Sequence, residues 1–268
     1  MLEALAERGI WPDVVVGTSI GAVNGAALAA DPTLDGVHHL AERWEALEDT
    51  NPFSVSVWRG TTTAIRSGTH VLAPEPAERF VRDLVGVDTF EELVVPFHCV
   101  AACIETSTET WFDRGPLVGP VMASSALPGV FPPRRVGDRH YFDGGLVNSI
   151  PVERAIELGA EELYVLQVGH ISEPLEVPKS LFDVGMVSFE LSRRHRFITE
   201  LAAVPARIRV HVLPTGEEGE ARWNDASKIR FDDTSAITRR ITAARTATHE
   251  YLATLPAEEP IPGSTTTG

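Results

Sequence analysis

The serine of the segment Gly-Thr-Ser-Ile-Gly stands where a strand is predicted to turn sharply into a helix. A mostly apolar run at 13–16 is typical of a buried strand, and small residues at 22–30 favour a helix. We expect the turn between them to strain Ser19 and to require very small side chains at Gly17 and Gly21. The hydroxyl would then lie at a helix N-terminus, where the dipole favours developing negative charge. The pattern predicts a nucleophile; a glycine-rich turn with a capping serine is the alternative.

A serine hydroxyl is a poor nucleophile until a base accepts its proton, and Asp143 is the preferred candidate. Asp143 ends a predicted strand, and Gly144 and Gly145 after it let the backbone bend away. The carboxylate would then face a neighbouring strand end, where partial desolvation raises its proton affinity toward the working range. An ordinary Asp-Gly turn is the alternative for this residue.

A Ser-His-Asp triad is the second solution to the same problem. His170, His211 and His249 all follow Asp143, which is the chain order of α/β hydrolases. Such hydrolases place several strands before the nucleophile, whereas few residues precede Gly17 here. We therefore favour the direct pair of serine and aspartate.

Length and charge limit the classes of function. The 268 residues, with 43% hydrophobic content, allow one large α/β domain. A net charge of −15 argues against nucleic acid as a partner and gives no general attraction to anionic lipid. Any membrane contact would therefore have to be local and apolar. The absence of a long apolar run and of a signal-peptide pattern predicts a cytoplasmic location without a transmembrane helix.

Cys99 and Cys103 lie four residues apart in an apolar stretch. Two cysteines in a chain of this size do not form a disulfide framework, so we expect buried free thiols. A zinc site that includes His98 is the alternative, although no second pair of ligands follows at the usual spacing.

Predicted strands and helices alternate along the chain, which favours a mainly parallel sheet covered on both faces. The predicted strands cover 13–16, 96–104, 110–112, 139–142, 162–168 and 207–213. The predicted helices cover 2–7, 35–48, 76–85, 89–93, 116–126, 152–158, 180–204 and 235–255.

Three further segments have predictions of their own. The polar segment 50–68 is either a flap over a site or a surface loop. The tail 256–268 is predicted to be disordered, because it is too polar to pack. A basic cluster in the long helix is predicted to be a solvated face, with contact to lipid headgroups as the alternative. It comprises Arg193, Arg194, His195 and Arg196.

Residues 1–255 resemble the patatin-like phospholipase family. The resemblance rests on the elbow around Ser19, the Ala-Ser-Ser-Ala-Leu-Pro-Gly-Val-Phe-Pro-Pro run at 123–133 and the Asp-Gly-Gly turn at Asp143. It implies a three-layer α/β/α sandwich in which Ser19 and Asp143 hydrolyse fatty-acyl esters through an acyl-enzyme, as a phospholipase A or esterase does. It implies a lipid or other acyl-ester substrate, transient contact with a membrane surface, and neither metal nor organic cofactor. The oligomeric state stays open.

The same resemblance sets an expectation about the oxyanion hole. Family members carry a first strand and a glycine-rich loop before the helix predicted at 2–7, and that loop supplies backbone N–H groups. The given sequence begins after this loop, so we expect a sandwich that lacks it and its strand, with the Ile20 amide as the remaining donor. Loss of one such donor costs about 10²- to 10³-fold in rate. A catalytically impaired module that binds lipid or protein is therefore the alternative function.

Overall fold

The computed structural model describes residues 1–48, 69–167, 175–179, 181–216 and 234–256. The strands are β1 (Val15–Gly17), β2 (Phe97–Cys103), β3 (Thr108–Phe112), β4 (Arg134–Val136), β5 (Arg139–Asp143), β6 (Glu162–Val165) and β7 (Arg209–Val212). The helices are α1 (Leu2–Glu7), α2 (Ile20–Ala30), α3 (Leu34–Glu45), α4 (Glu75–Val85), α5 (Val118–Ser124), α6 (Val152–Glu157), α7 (Leu181–Ala203) and α8 (Thr234–Thr254). Short 3₁₀ turns cover Ala46–Glu48, Phe90–Glu92 and Gly144–Leu146. The predicted flap at 50–68, the disorder predicted after residue 256 and His170 lie outside the described residues.

β2 is the central strand, and its pairing explains how distant parts of the chain meet. β3 pairs antiparallel with β2 from Cys99 to Cys103 and so occupies one edge of β2 along these residues. β1 pairs parallel with β2 up to Gly17 opposite Cys99, and β5 pairs antiparallel with it, with Asp143 opposite Ala101. β1 and β5 must therefore share the other edge of β2, one after the other. They approach from opposite directions, so their carboxyl ends face each other.

The remaining pairings make the sheet mixed. β4 and β5 form an antiparallel hairpin, and β6 and β7 form a separate parallel pair. The antiparallel pairings of β2 with β3 and of β4 with β5 follow from short connections along the chain, which favour hairpins.

Helices pack on both faces of the sheet, and the predicted α/β class is confirmed. Successive side chains of a strand point to opposite faces, so Val15 and Val16 belong to different cores. Val15 packs in the larger core with Phe97 and with helices α2, α4 and α5. Val16 packs on the other face with Val152 of α6 and Phe197 of α7. The site described below lies at the carboxyl end of β1, between these two layers.

Candidate active site

Ser19 lies between the end of β1 and the start of α2. Its backbone has φ 57° and ψ −126°, a conformation that L-residues with a side chain rarely adopt. A methyl group at Gly17 would overlap the carbonyl oxygen of Gly21, so the predicted need for a small side chain holds there. The same expectation is wrong at Gly21, because a methyl group there would meet no described atom within 4 Å.

The Ser19 hydroxyl is directed at Asp143. Its Oγ donates a hydrogen bond to Asp143 Oδ2 at 2.6 Å, across 124 residues of sequence. Within the described chain this hydroxyl makes no capping bond to a backbone amide of α2. The geometry therefore differs from that of a helix-capping serine and brings together a hydroxyl and a carboxylate.

Asp143 is fully buried at the end of β5. Its Oδ1 accepts a hydrogen bond from the Gly145 amide at 2.8 Å, so the residue also forms the ordinary Asp-Gly turn. A methyl group at Gly144 would overlap the carbonyl oxygen of Val100, which makes that glycine necessary. A methyl group at Gly145 would instead meet the ring of Phe189 at 2.7 Å, and a side-chain ring can shift.

The environment of Asp143 favours its protonated form more than water does. Burial raises the pKa of Asp143 from 3.8 to about 6. The hydrogen bonds from Ser19 and Gly145, and then the charge of Arg193, act in the opposite direction and lower this pKa. A carboxylate with a pKa near 6 is ionised at neutral pH and is still a useful proton acceptor.

One short segment holds the backbones of both residues, and sequence reasoning did not foresee this role. Ser124 Oγ accepts a hydrogen bond from the Ser19 amide at 2.9 Å, and Ser125 Oγ donates one to the Ser19 carbonyl oxygen at 2.9 Å. The Asp143 amide donates to the carbonyl oxygen of Ala126 at 2.9 Å. Residues 124–126 thereby fix the spacing between hydroxyl and carboxylate. The run at 123–133 was visible in the sequence, but its partners were not.

The Ile20 amide is the first of α2 and lies next to the Ser19 hydroxyl in sequence. No described residue accepts its hydrogen bond, as is usual for the first N–H groups of a helix. This amide, with the positive end of the helix dipole, is a ready donor for an anionic oxygen.

The basic cluster of α7 does not form the solvated face predicted for it. Arg193 and Arg194 are largely buried, and both pair with the carboxylate of Glu190 at 2.8 Å. Arg196 pairs with Glu200, and only His195 is exposed. Glu190 precedes the two arginines by three and four residues, so the helical ion-pair spacing was readable in the sequence.

The two described histidines of the predicted triad lie elsewhere. His211 on β7 contacts the Tyr251 hydroxyl and the Glu162 carboxylate. His249 on α8 contacts the carboxylate of Glu7. The triad alternative is therefore wrong for both, because neither imidazole bonds to Ser19.

The predicted zinc alternative conflicts with the geometry of β2. His98 and Cys99 are neighbours on the strand and point to opposite faces. Cys103 shares the face of Cys99 but lies about 13 Å further along the strand, too far for a common metal. Both cysteines are free and buried, as predicted. Among the described residues no group of acidic, histidine and cysteine side chains is arranged to hold a metal.

None of the helices in the described ranges is both long and apolar enough to cross a membrane.

Comparison with known proteins shows the family to which the chain belongs. A family model described as patatin-like phospholipase matches residues 1–156. An uncharacterized NTE family protein of Mycobacterium tuberculosis is 33% identical over 152 residues, which are 57% of this chain and 39% of that protein. A patatin-like phospholipase domain-containing protein of Caenorhabditis elegans is 32% identical over 187 residues, or 69% of this chain and 13% of that protein.

A lysophospholipase of Saccharomyces cerevisiae is 25% identical over 183 residues, which are 68% of this chain and 10% of that protein. The chain therefore matches less than two fifths of the length of each of these relatives. The family model, in contrast, covers more than half of the chain itself. On this match, the chain belongs to the patatin-like phospholipase family.

Proposed function

We propose that this chain is a lipid acyl hydrolase that cleaves fatty-acyl esters through an acyl-enzyme formed on Ser19. The observation that carries the proposal is the 2.6 Å hydrogen bond from the Ser19 hydroxyl to the buried carboxylate of Asp143. Family membership and the lysophospholipase named among the relatives support lipid esters as the substrate class.

The first half of the reaction acylates the serine. Asp143 Oδ2 accepts the proton of the Ser19 hydroxyl while Oγ attacks the ester carbonyl carbon. The carbonyl oxygen becomes an oxyanion and accepts a hydrogen bond from the Ile20 amide at the start of α2. Collapse of this intermediate breaks the bond to the alcohol, which leaves with the proton held by Asp143.

The second half releases the fatty acid. A water molecule gives a proton to Asp143 as its oxygen attacks the acyl carbon on Ser19. The Ser19 oxygen then leaves with that proton, and the free acid and the original enzyme are restored. Asp143 thus accepts and returns one proton in each half of the cycle, for which a pKa of about 6 is suitable.

Ester turnover by matched variants tests this assignment. Turnover of 4-nitrophenyl butyrate and of a lysophospholipid is measured for the parent protein and for Ser19→Ala and Asp143→Asn, each with folding confirmed by circular dichroism. Ser107→Ala is the matched control, because Ser107 also has a positive φ of 56° but lies in the turn between β2 and β3.

We expect both site variants to lose activity by at least about 10³-fold, while the control retains it. Parental activity in either site variant would refute the assignment. A parent protein that binds lipid but hydrolyses neither ester would identify the lipid-binding module as the function instead.

A further inference from the structure

Among the described side chains of helix α7, three apolar ones form an exposed row on its outer side. Val184, Leu191 and Ile198 are 47%, 61% and 56% exposed and follow one another at intervals of seven residues. At 1.5 Å per residue the row is about 21 Å long. We call these three residues the outer row. Exposed branched side chains repeated on one helix face are unusual unless something covers them.

The opposite side of α7 contacts the candidate site. The ring of Phe189 lies against Gly145, and Arg193 reaches the Ser149 hydroxyl at 3.4 Å. A surface against the outer row would therefore lie about one helix diameter, roughly 10 Å, from the loop that carries Asp143.

Two hydroxyl groups beside the outer row form hydrogen bonds within the helix. Ser188 Oγ donates to the Val184 carbonyl oxygen at 2.7 Å, and Thr199 Oγ1 donates to the His195 carbonyl oxygen at 2.8 Å. A hydroxyl group that already donates a hydrogen bond within its own helix loses little free energy when a nonpolar medium replaces water. Among the exposed described positions of α7, His195 is the sole titratable side chain.

The charges on and around α7 suit an anionic surface. Glu190 and Glu200 pair with arginines, and Asp183 accepts a hydrogen bond from the Lys179 amide at the start of the helix, so no carboxylate belongs to the outer row itself in a chain of net charge −15. Lys179, 81% exposed, precedes the helix and pairs with the carboxylate of Glu176 at 3.9 Å, and the exposed Arg207 follows the helix. Cations at both ends of an apolar row are complementary to anionic lipid headgroups.

A second copy of this chain fits the row less well. A helix zipper needs a second apolar row beside the first, with a spacing of three or four residues. The exposed positions beside the outer row whose side chains the structure describes are instead Ser188, His195 and Ala202. Two chains that each carry a charge of −15 also repel one another.

We infer that the outer row of α7 rests on a lipid surface, with the helix parallel to the membrane plane and Lys179 and Arg207 among the headgroups. The inference rests on the proposed function, because it brings lipid esters to within about one helix diameter of the loop that carries Asp143. It locates a membrane contact that net charge alone would oppose.

Vesicle binding by an inactive form tests the inference without involving catalysis. The full chain carrying Ser19→Ala is sedimented with vesicles of phosphatidylcholine containing about 30% phosphatidylglycerol, an anionic lipid. In this background Leu191→Ser with Ile198→Ser is compared with Val94→Ser and Ile104→Ser. The control pair is matched, because Val94 and Ile104 are 68% and 41% exposed and lie outside α7.

We expect the double variant in α7 (the α7 pair) to bind vesicles at least about tenfold more weakly, and the double variant at Val94 and Ile104 (the control pair) to bind them as the inactive parent does. Equal binding by both pairs, or no binding by the inactive parent, would overturn the inference. Sedimentation velocity without lipid completes the test, since a dimer that only the α7 pair dissociates would show that a second copy covers the row.

A separate measurement distinguishes this failure from failure of the proposed function. With Ser19 intact, the α7 pair should hydrolyse a water-soluble short-chain ester at the parental rate. If the α7 pair turns over the ester normally and also binds vesicles normally, only the lipid contact is refuted. If the parent does not turn over the ester, the proposed function is refuted.

Discussion

Replacing Asp143 with asparagine is expected to stabilise the fold at about pH 8 while it removes activity. The carboxyl group is fully buried, and burial raises its pKa from 3.8 to about 6. Ionising it in the folded protein is therefore harder than in the unfolded chain. A difference of about two pKa units corresponds to about 3 kcal/mol. Asparagine has nearly the same shape and avoids this cost, but its amide cannot accept the proton of Ser19.

The stability that Asp143→Asn gains over the parent should depend on pH. As the pH falls through about 6, folded Asp143 takes up a proton before the unfolded chain does, so the free energy of unfolding of the parent rises. This contribution is complete below 3.8, where both states are protonated. The advantage of Asp143→Asn should therefore be about 3 kcal/mol at pH 8, shrink by about 1.4 kcal/mol per pH unit below 6, and vanish near pH 4.

Urea unfolding followed by tryptophan fluorescence, repeated between about pH 4 and pH 8, measures this difference. Glu190→Gln is the opposing control. Burial raises the pKa of Glu190, but the hydrogen bonds and charges of Arg193 and Arg194 outweigh it and lower that pKa overall.

Glu190→Gln removes the negative charge that two largely buried arginines share and should destabilise the fold by about 3–5 kcal/mol at neutral pH. A variant Asp143→Asn that is less stable than the parent at every pH, or whose advantage does not change with pH, would show that burial of the charged carboxylate does not destabilise the fold.

The candidate site gives four further expectations. Ser124→Ala removes the partner of the Ser19 amide and should lower both kcat and the free energy of unfolding, the latter by about 1–3 kcal/mol in urea titration. Ser125→Ala should lower the free energy of unfolding much less, because amides of α2 also donate to the Ser19 carbonyl oxygen that Ser125 contacts. Gly17→Ala should lower the melting temperature measured by circular dichroism, since its methyl group would overlap backbone atoms. In a pH–rate profile, kcat/KM should fall about tenfold per unit below about 6, as Asp143 becomes protonated.

Much of the local structure could be predicted because its signals are local. Hydrophobic period, glycines and prolines place most elements within a few residues of their observed bounds, as at β2 and α8. β4 was not predicted, because a three-residue strand with two arginines carries no apolar period. The segment at 90–92 forms a 3₁₀ turn where a helix was expected over 89–93.

The candidate residues could be picked from the sequence, but their meeting could not be derived from it. Ser19 and Asp143 meet because β1 and β5 share one edge of β2, and long-range pairing leaves no mark in a local pattern. The partners of Ser124 and Ser125 were hidden for the same reason. The burial of Arg193 depends on how α7 packs against the loop after β5, which composition does not reveal.

Covalent labelling tests the central claim, that Ser19 is a nucleophile activated by Asp143. A fluorophosphonate probe is incubated with the folded parent and with Ser19→Ala, Asp143→Asn and Ser107→Ala, and adducts are located by peptide mass spectrometry. We expect one adduct, on Ser19, in the parent and in Ser107→Ala, much slower labelling in Asp143→Asn and none in Ser19→Ala. An adduct on a different serine, or a parent that hydrolyses esters while Ser19 stays unlabelled, would contradict it.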